Sequence, residues 1–219
     1  MNNRPRPSTA ALVQALVIDA SPVRRLRSPG IRASLWLSTA GMAATATIFA
    51  VTGTAIFKAG TANPLAFMEW WAMLATGVTG IVAAHHLVVP GHAGYWRKAA
   101  WWPTAAWLAL AIADCFAGDD HLRWTDGSNL WHYCECFGFV VGCGVPLALV
   151  LAGSLRHTLP RWPVDTAVQG CLGAGALAMA LMRFFHPLDL SVIDVGSHLT
   201  ALALVVGVGA LRATAALLP

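Results

Sequence analysis

The sequence predicts an all-α, multi-pass membrane protein: a six-helix transmembrane bundle, N-in and C-in, preceded by a short cytoplasmic amphipathic helix. Three observations predict it. Of 219 residues, 57% are apolar or aromatic and only 11% are charged, whereas a soluble domain carries about 25% charged residues to face water. Six mostly apolar stretches recur along the chain, each of about the 20 residues that a helix needs to cross a bilayer. The Lys and Arg residues gather on one side of those stretches. The composition excludes disorder, a collagen repeat, a coiled coil and a disulfide-stapled secreted scaffold.

Residues 1–32 form an arm distinct from the membrane domain, 33–219. Met1 to Pro7 is polar and basic. Ser8 can cap a helix running to about Ala20. Leu12, Val13, Leu16 and Val17 share one helical face. A turn with a basic run follows, carrying Arg24, Arg25 and Arg27 between Pro22 and Pro29. On residues alone the arm reads either as a membrane-surface helix whose arginines hold topology or as a docking helix for a cytoplasmic protein.

The six spans are expected at 33–57, 65–89, 99–117, 136–155, 164–183 and 191–211. Short loops carry the turn and charge signals between them. With the N-terminus inside, Arg4, Arg6, Arg24, Arg25, Arg27, Arg32, Arg97, Lys98, Arg156, Arg161 and Arg212 are cytoplasmic, 11 in all, against Lys58, Arg123 and Arg183 outside. That asymmetry sets the orientation. Tryptophans fall near both interfaces, as in an aromatic belt. The first span is too long, and too far from the N-terminus, for a signal peptide. Gly138 and Gly142 on the fourth span, Gly170, Gly173 and Gly175 on the fifth, and Gly207 and Gly209 on the sixth are expected where helices approach closely. No inverted 3+3 repeat of the transporter kind stands out.

Five cysteines occur, Cys115, Cys134, Cys136, Cys143 and Cys171. The first three lie at the outer ends of the third and fourth spans. In His132-Tyr133-Cys134-Glu135-Cys136, alternate residues would share a face if the segment were extended and would suit one soft metal. His121 lies in the same loop. His186 and Asp189 lie in the next outer loop, and Asp194 and His198 follow at i, i+4. A disulfide, a metal site and a redox sensor all remain open for Cys115, Cys134 and Cys136. Cys143 and Cys171 read as packing residues. His85 and His86 read as interfacial.

No phosphate-cradling glycine loop, no Ser/His/Asp arrangement and no CxxC occurs, and no catalysis is expected. No buried carboxylate pair of the kind that marks a proton relay is expected either. Two alternatives to a regulatory binding protein are a small membrane redox enzyme using the outer cysteines and a metal or solute transporter.

The order of several short motifs resembles a known family. Leu16-Val17-Ile18-Asp19-Ala20-Ser21-Pro22-Val23-Arg24-Arg25-Leu26, then Pro29, is similar to the start of NrsF-type membrane anti-sigma factors. Leu87-Val88-Val89-Pro90-Gly91, Cys136 followed by Pro146, and His186-Pro187-Leu188-Asp189 followed by His198 continue the resemblance over nearly the whole chain. It implies a protein that holds an extracytoplasmic-function sigma factor at the inner membrane of a Gram-negative bacterium and releases it under heavy-metal or oxidative stress. It implies no direct nucleic-acid contact, and it leaves the oligomeric state undetermined. Sigma docking would fall to Leu12, Val13, Leu16, Val17, Arg24 and Arg25. Cys136 matches the family's sensing cysteine. His186 stands where the family has a second cysteine, so Cys134 or Cys115 would substitute, or His186 would join Cys136 around a metal, with Cys134 and His132 as further ligands. No cofactor is required; a transient soft ion such as cadmium, copper or zinc fits such a site.

Overall fold

The computed structural model describes residues 8–19, 27–52, 64–91, 94–117, 128–156, 158, 160–185 and 192–216. The described residues form helices and turns: α1 (Thr9–Asp19), α2 (Pro29–Thr52), α3 (Pro64–Leu87), a 3-10 turn (Gly94–Lys98), α4 (Trp101–Ala117), α5 (Ser128–Leu155), α6 (Pro163–Met182) and α7 (Val192–Ala215). Five of these helices are long and apolar enough to cross a membrane: those containing Pro29–Val51, Pro64–Leu87, Tyr133–Leu155, Pro163–Met182 and Ile193–Ala215. α4 is apolar but has 17 residues, which at 1.5 Å each is about 25 Å, short of the ~30 Å hydrocarbon core.

Helix starts follow local chemistry. The Ser8 hydroxyl accepts the Ala11 N–H at 3.2 Å, as an N-cap does. Ser28 accepts from Ile31 at 3.4 Å, and Pro29 takes the first helical position, where its missing N–H costs nothing. α2 therefore begins four residues before the expected 33. Pro64 and Pro163 open α3 and α6 in the same way. After α3 the chain turns at Gly91, whose φ of 85° favours glycine. α5 begins at Ser128, eight residues before the expected 136, and continues through Pro146. That earlier start matters for the thiols below.

α6 is the central helix, packed against α3, α5 and α7; α4 and α2 pack on α3. Glycine makes the α3–α6 approach possible. A Cβ on Gly80 would stand 2.6 Å from the Gln169 carbonyl and 2.7 Å from Gly173 Cα, and one on Gly173 would stand 2.8 Å from Ile81 N. Gly170, Gly175 and Gly209 also sit at contacts, meeting Leu151, Leu202 and Cys171. Gly138, Gly142 and Gly207, expected at helix contacts, face open space instead. The spacing on α5 is right, but that face points away from the bundle.

One end of the bundle is basic. There Arg32 donates to the Ser154 carbonyl at 2.9 Å, tying α2 to α5. Gln169 is fully buried. Its carbonyl accepts from Ala100 N at 3.1 Å and its amide donates to Arg97 O at 2.9 Å, which fastens the 3-10 turn to α6. Arg97 also pairs with Asp165 at 2.8 Å. His85, expected at an interface, is buried, with Nδ1 2.9 Å from the Ile81 carbonyl of its own helix. His86 stacks on Trp96 at 4.3 Å between centroids.

Candidate functional site

Two regions carry the residues singled out from sequence. The first is α1. All of its residues are exposed, and none is buried against the bundle. Leu16, Val17 and Ile18 are 63%, 68% and 81% exposed. The sequence pointed to an amphipathic stripe of Leu12, Val13, Leu16 and Val17. At 100° per residue, Ala10, Ala11, Ala15 and Ile18 fill the rest of the circumference, so the helix is apolar nearly all round, with Gln14 and the terminal Thr9 and Asp19 as its polar points. The stripe reading was too narrow. A helix apolar all round needs a partner, whether lipid or protein. Arg24 and Arg25 lie outside the described residues.

The second region is the opposite end of the bundle, where the cysteines were expected to gather. Because α5 starts at Ser128, His132, Cys134 and Cys136 lie on helix and not on extended chain. Side chains at i and i+2 on a helix point apart. Cys134 is exposed and Cys136 is buried at 1% exposure. The extended geometry that would have put the three residues on one face is therefore absent. The side chain of His132, and all of His121, His186 and Asp189, lie outside the described residues. Among the described residues no group of three His, Cys, Asp or Glu side chains is placed to hold a metal. None of the five cysteines is joined in a disulfide. Cys115 is buried; Cys143 packs at the rim of the core, and Cys171 sits against Gly209.

What Cys136 meets is a carboxylate. Its Sγ donates to Asp194 Oδ1 of α7 at 3.7 Å. Asp194 and its i+4 neighbour His198 are both buried, and Ser197 between them donates to the Asp194 carbonyl at 2.8 Å. Three residues earlier on α5, Tyr133 shares a 2.6 Å hydrogen bond with Thr200 of α7. Two polar contacts thus join α5 to α7.

Beside them lies a second buried knot that the sequence reading missed. Glu69, in the second turn of α3, is fully buried. The Trp107 indole of α4 donates to its Oε1 at 3.0 Å. Arg183, just past α6, donates to its Oε2 at 2.5 Å. Asp114 and Cys115 of α4 are buried in the same neighbourhood, where Asp114, Glu69 and Asp194 all act electrostatically on Cys115. No buried carboxylate pair was expected; three buried carboxylates are found, with one guanidinium among them. A usable signal existed. Glu69, Asp114, Arg183 and Asp194 all fall inside apolar stretches, and an ionisable residue within a span faces the protein interior. Arg183 was counted as a charge outside the membrane; it is 9% exposed and paired within the bundle.

Chemically this end can respond to events at single atoms. A thiol that donates to a carboxylate loses that bond when a soft metal or an oxidant takes its proton. The exposed Cys134 is directly accessible to either. Catalytic machinery of the nucleophile–base–orienter kind is not assembled among the described residues.

The model of one family, NrsF, described as negative regulator of sigma F, matches residues 16–218 of this chain. No curated protein and no solved structure matches it.

Proposed function

The chain belongs to the NrsF family of negative regulators of sigma F, and from that premise we propose that it is a membrane anti-sigma factor of the inner membrane of a Gram-negative bacterium. In this reading it sequesters an extracytoplasmic-function sigma factor through residues 1–32 and releases it on heavy-metal or oxidative stress. It acts by binding, without catalysis. α4 crosses the membrane as a sixth span, and both termini are cytoplasmic. The family match carries the reading. It is supported by α1, an apolar helix whose residues are all exposed among the described residues.

Sensing falls to the thiol end. Cys136 is the centre, and Cys134 is the accessible thiol beside it. Cys115, His132 and His186 are further thiol or imidazole groups for a transient soft ion such as cadmium, copper or zinc. Taking the Cys136 proton removes the contact with Asp194, one of the two polar contacts that join α5 to α7. That is a change at one atom with two helices to act on.

Three measurements test the reading. Leu12→Asp with Leu16→Asp abolishes co-purification of the sigma factor while the protein still inserts; undiminished capture refutes docking through α1. Alkaline phosphatase fused after Ser128 is active and fused at the C-terminus is inactive; the reverse pattern rejects the topology. Cys136→Ser loses most of the cadmium–thiolate absorbance of the purified protein and no longer releases sigma under stress. Cys171→Ser keeps both. A full metal response in Cys136→Ser moves the sensor to Cys134 or Cys115.

A further inference from the structure

At the basic end the contacts between α5, α6 and α7 loosen around a cleft of about 450 Å³, within the roughly 300–1,000 Å³ range of small-molecule sites. Its walls are apolar, formed by Val145 and Leu151 of α5, Gly170 of α6, and Val205 and Val208 of α7. Its mouth is not. Arg156, just past α5, and Arg212, in the last turn of α7, both line it. α6 begins at the same mouth, at Pro163, and its N-cap residue Trp162 makes no side-chain capping bond. A helix start leaves backbone N–H groups and the positive end of its dipole for an anion. The acid of that first turn, Asp165, is engaged with Arg97.

An apolar crevice in a membrane bundle suits an acyl chain, which brings no polar group into hydrocarbon. The two guanidiniums at the rim give the mouth a charge that complements an anionic head group rather than a neutral one. Arginine forks match phosphate oxygens in bidentate fashion and shed water more readily than ammonium groups. We propose that the cleft between α5, α6 and α7 binds one anionic phospholipid, its acyl chain among the apolar walls and its phosphate on Arg156 and Arg212. The site is independent of the sigma factor and of Cys115, Cys134 and Cys136 at the other end of the bundle; Cys171 lies in its wall.

The test uses the full chain in nanodiscs of phosphatidylcholine doped with phosphatidylglycerol, with lipid retained after transfer to detergent counted by native mass spectrometry. One phosphatidylglycerol is retained in preference to phosphatidylcholine. Arg156→Gln with Arg212→Gln lowers that preference roughly thirtyfold, the effect of two basic residues at a membrane surface. Ala152→Trp fills the cleft without altering charge and lowers the retention of both lipids. Arg161→Gln, a basic-end arginine outside the cleft, leaves retention unchanged, and excess inorganic phosphate does not displace the lipid. Equal retention of the two lipids by the unaltered protein overturns the assignment. An equal loss in Arg161→Gln also overturns it, because binding is then diffuse surface charge. Displacement by phosphate alone reduces the site to an anion site. Higher lipid retention after removal of residues 1–19 shows that α1 fills the cleft instead.

Discussion

At the thiol end, α3, α4 and the chain leaving α6 meet through Glu69, Trp107 and Arg183, and α5 meets α7 through Cys136 and Asp194. At the basic end, α3 and α6 lie close along Gly77, Gly80, Gly170 and Gly173, while α5, α6 and α7 leave a cleft lined by apolar groups. The thiol end is held by buried polar groups that are costly to leave unpaired; at the basic end glycine faces bring α3 and α6 together by shape, and polar contacts of Gln169 and Arg97 fasten the 3-10 turn to α6. A metal ion or an oxidant acts on a thiol–carboxylate contact and has nothing to act on between glycine backbones. The exposed α1 lies near the basic end in sequence. In the proposed reading a signal taken up at the polar end reaches the packed end through α5 and α7, which run through both.

The sharpest way to break this contrast is to remove one charge. Arg183→Ala leaves Glu69 without its ion-pair partner and costs about 3–5 kcal/mol, the penalty of an uncompensated buried charge. Replacing both Glu69 and Arg183 by Leu costs less than Arg183→Ala alone. Unfolding in mixed micelles with increasing dodecyl sulfate measures both. A loss below about 1 kcal/mol for Arg183→Ala, the median for an exposed pair, would mean that the ion pair does not hold this end.

The packed end is tested by adding one methyl group. Gly80→Ala drives a Cβ into the Gln169 carbonyl and the Gly173 backbone and costs about 1–3 kcal/mol, as overpacking does. Gly142→Ala meets open space and stays within about 0.5 kcal/mol. Equal effects at the two positions would remove the role given to the glycine contact.

A smaller effect separates the two thiols of α5. Alkylation followed by mass spectrometry modifies Cys134 first. Cys136 reacts about tenfold more slowly, the factor that ~1.4 kcal/mol of local opening imposes. Equal rates would show the α5–α7 contact to be open. The smallest effect is expected at α1, where Leu12→Asp with Leu16→Asp shifts bundle stability by no more than about 0.5 kcal/mol, because exposed positions hold no packing. A larger shift would show that α1 docks on the bundle.

Much of this layout can be read from residue order. Apolar length alone locates α2, α3, α5, α6 and α7 to within a few residues, except where a cap such as Ser28-Pro29 or an early start such as Ser128 moves a boundary. The arm is equally legible, since Ser8, a run of apolar residues and Asp19 mark a helix wherever it sits. Family membership was visible in the ordered motifs, because each depends on local residue types.

The pairing of side chains across helices was not legible. Hydrophobic periodicity says that Glu69 lies in an apolar span, but only the packing of α3 against α4 and α6 decides that Trp107 and Arg183 meet it. Gly138 and Gly142 carry the same spacing as contact glycines, yet helix rotation turns them outward, while Gly80 and Gly173 meet. Cys136 and Asp194 are 58 residues apart, and nothing local couples them. The sequence by itself determined where the apolar helices lie, the charge asymmetry between their ends and the caps that start them, because apolar runs, charge and capping are local properties; it expected six spans, and five described helices are long enough to cross a membrane. Only the tertiary structure decided which face of each helix is buried, which thiol is sheltered and where α5, α6 and α7 leave room. Those outcomes depend on how helices rotate and cross against one another, and that depends on all of them at once.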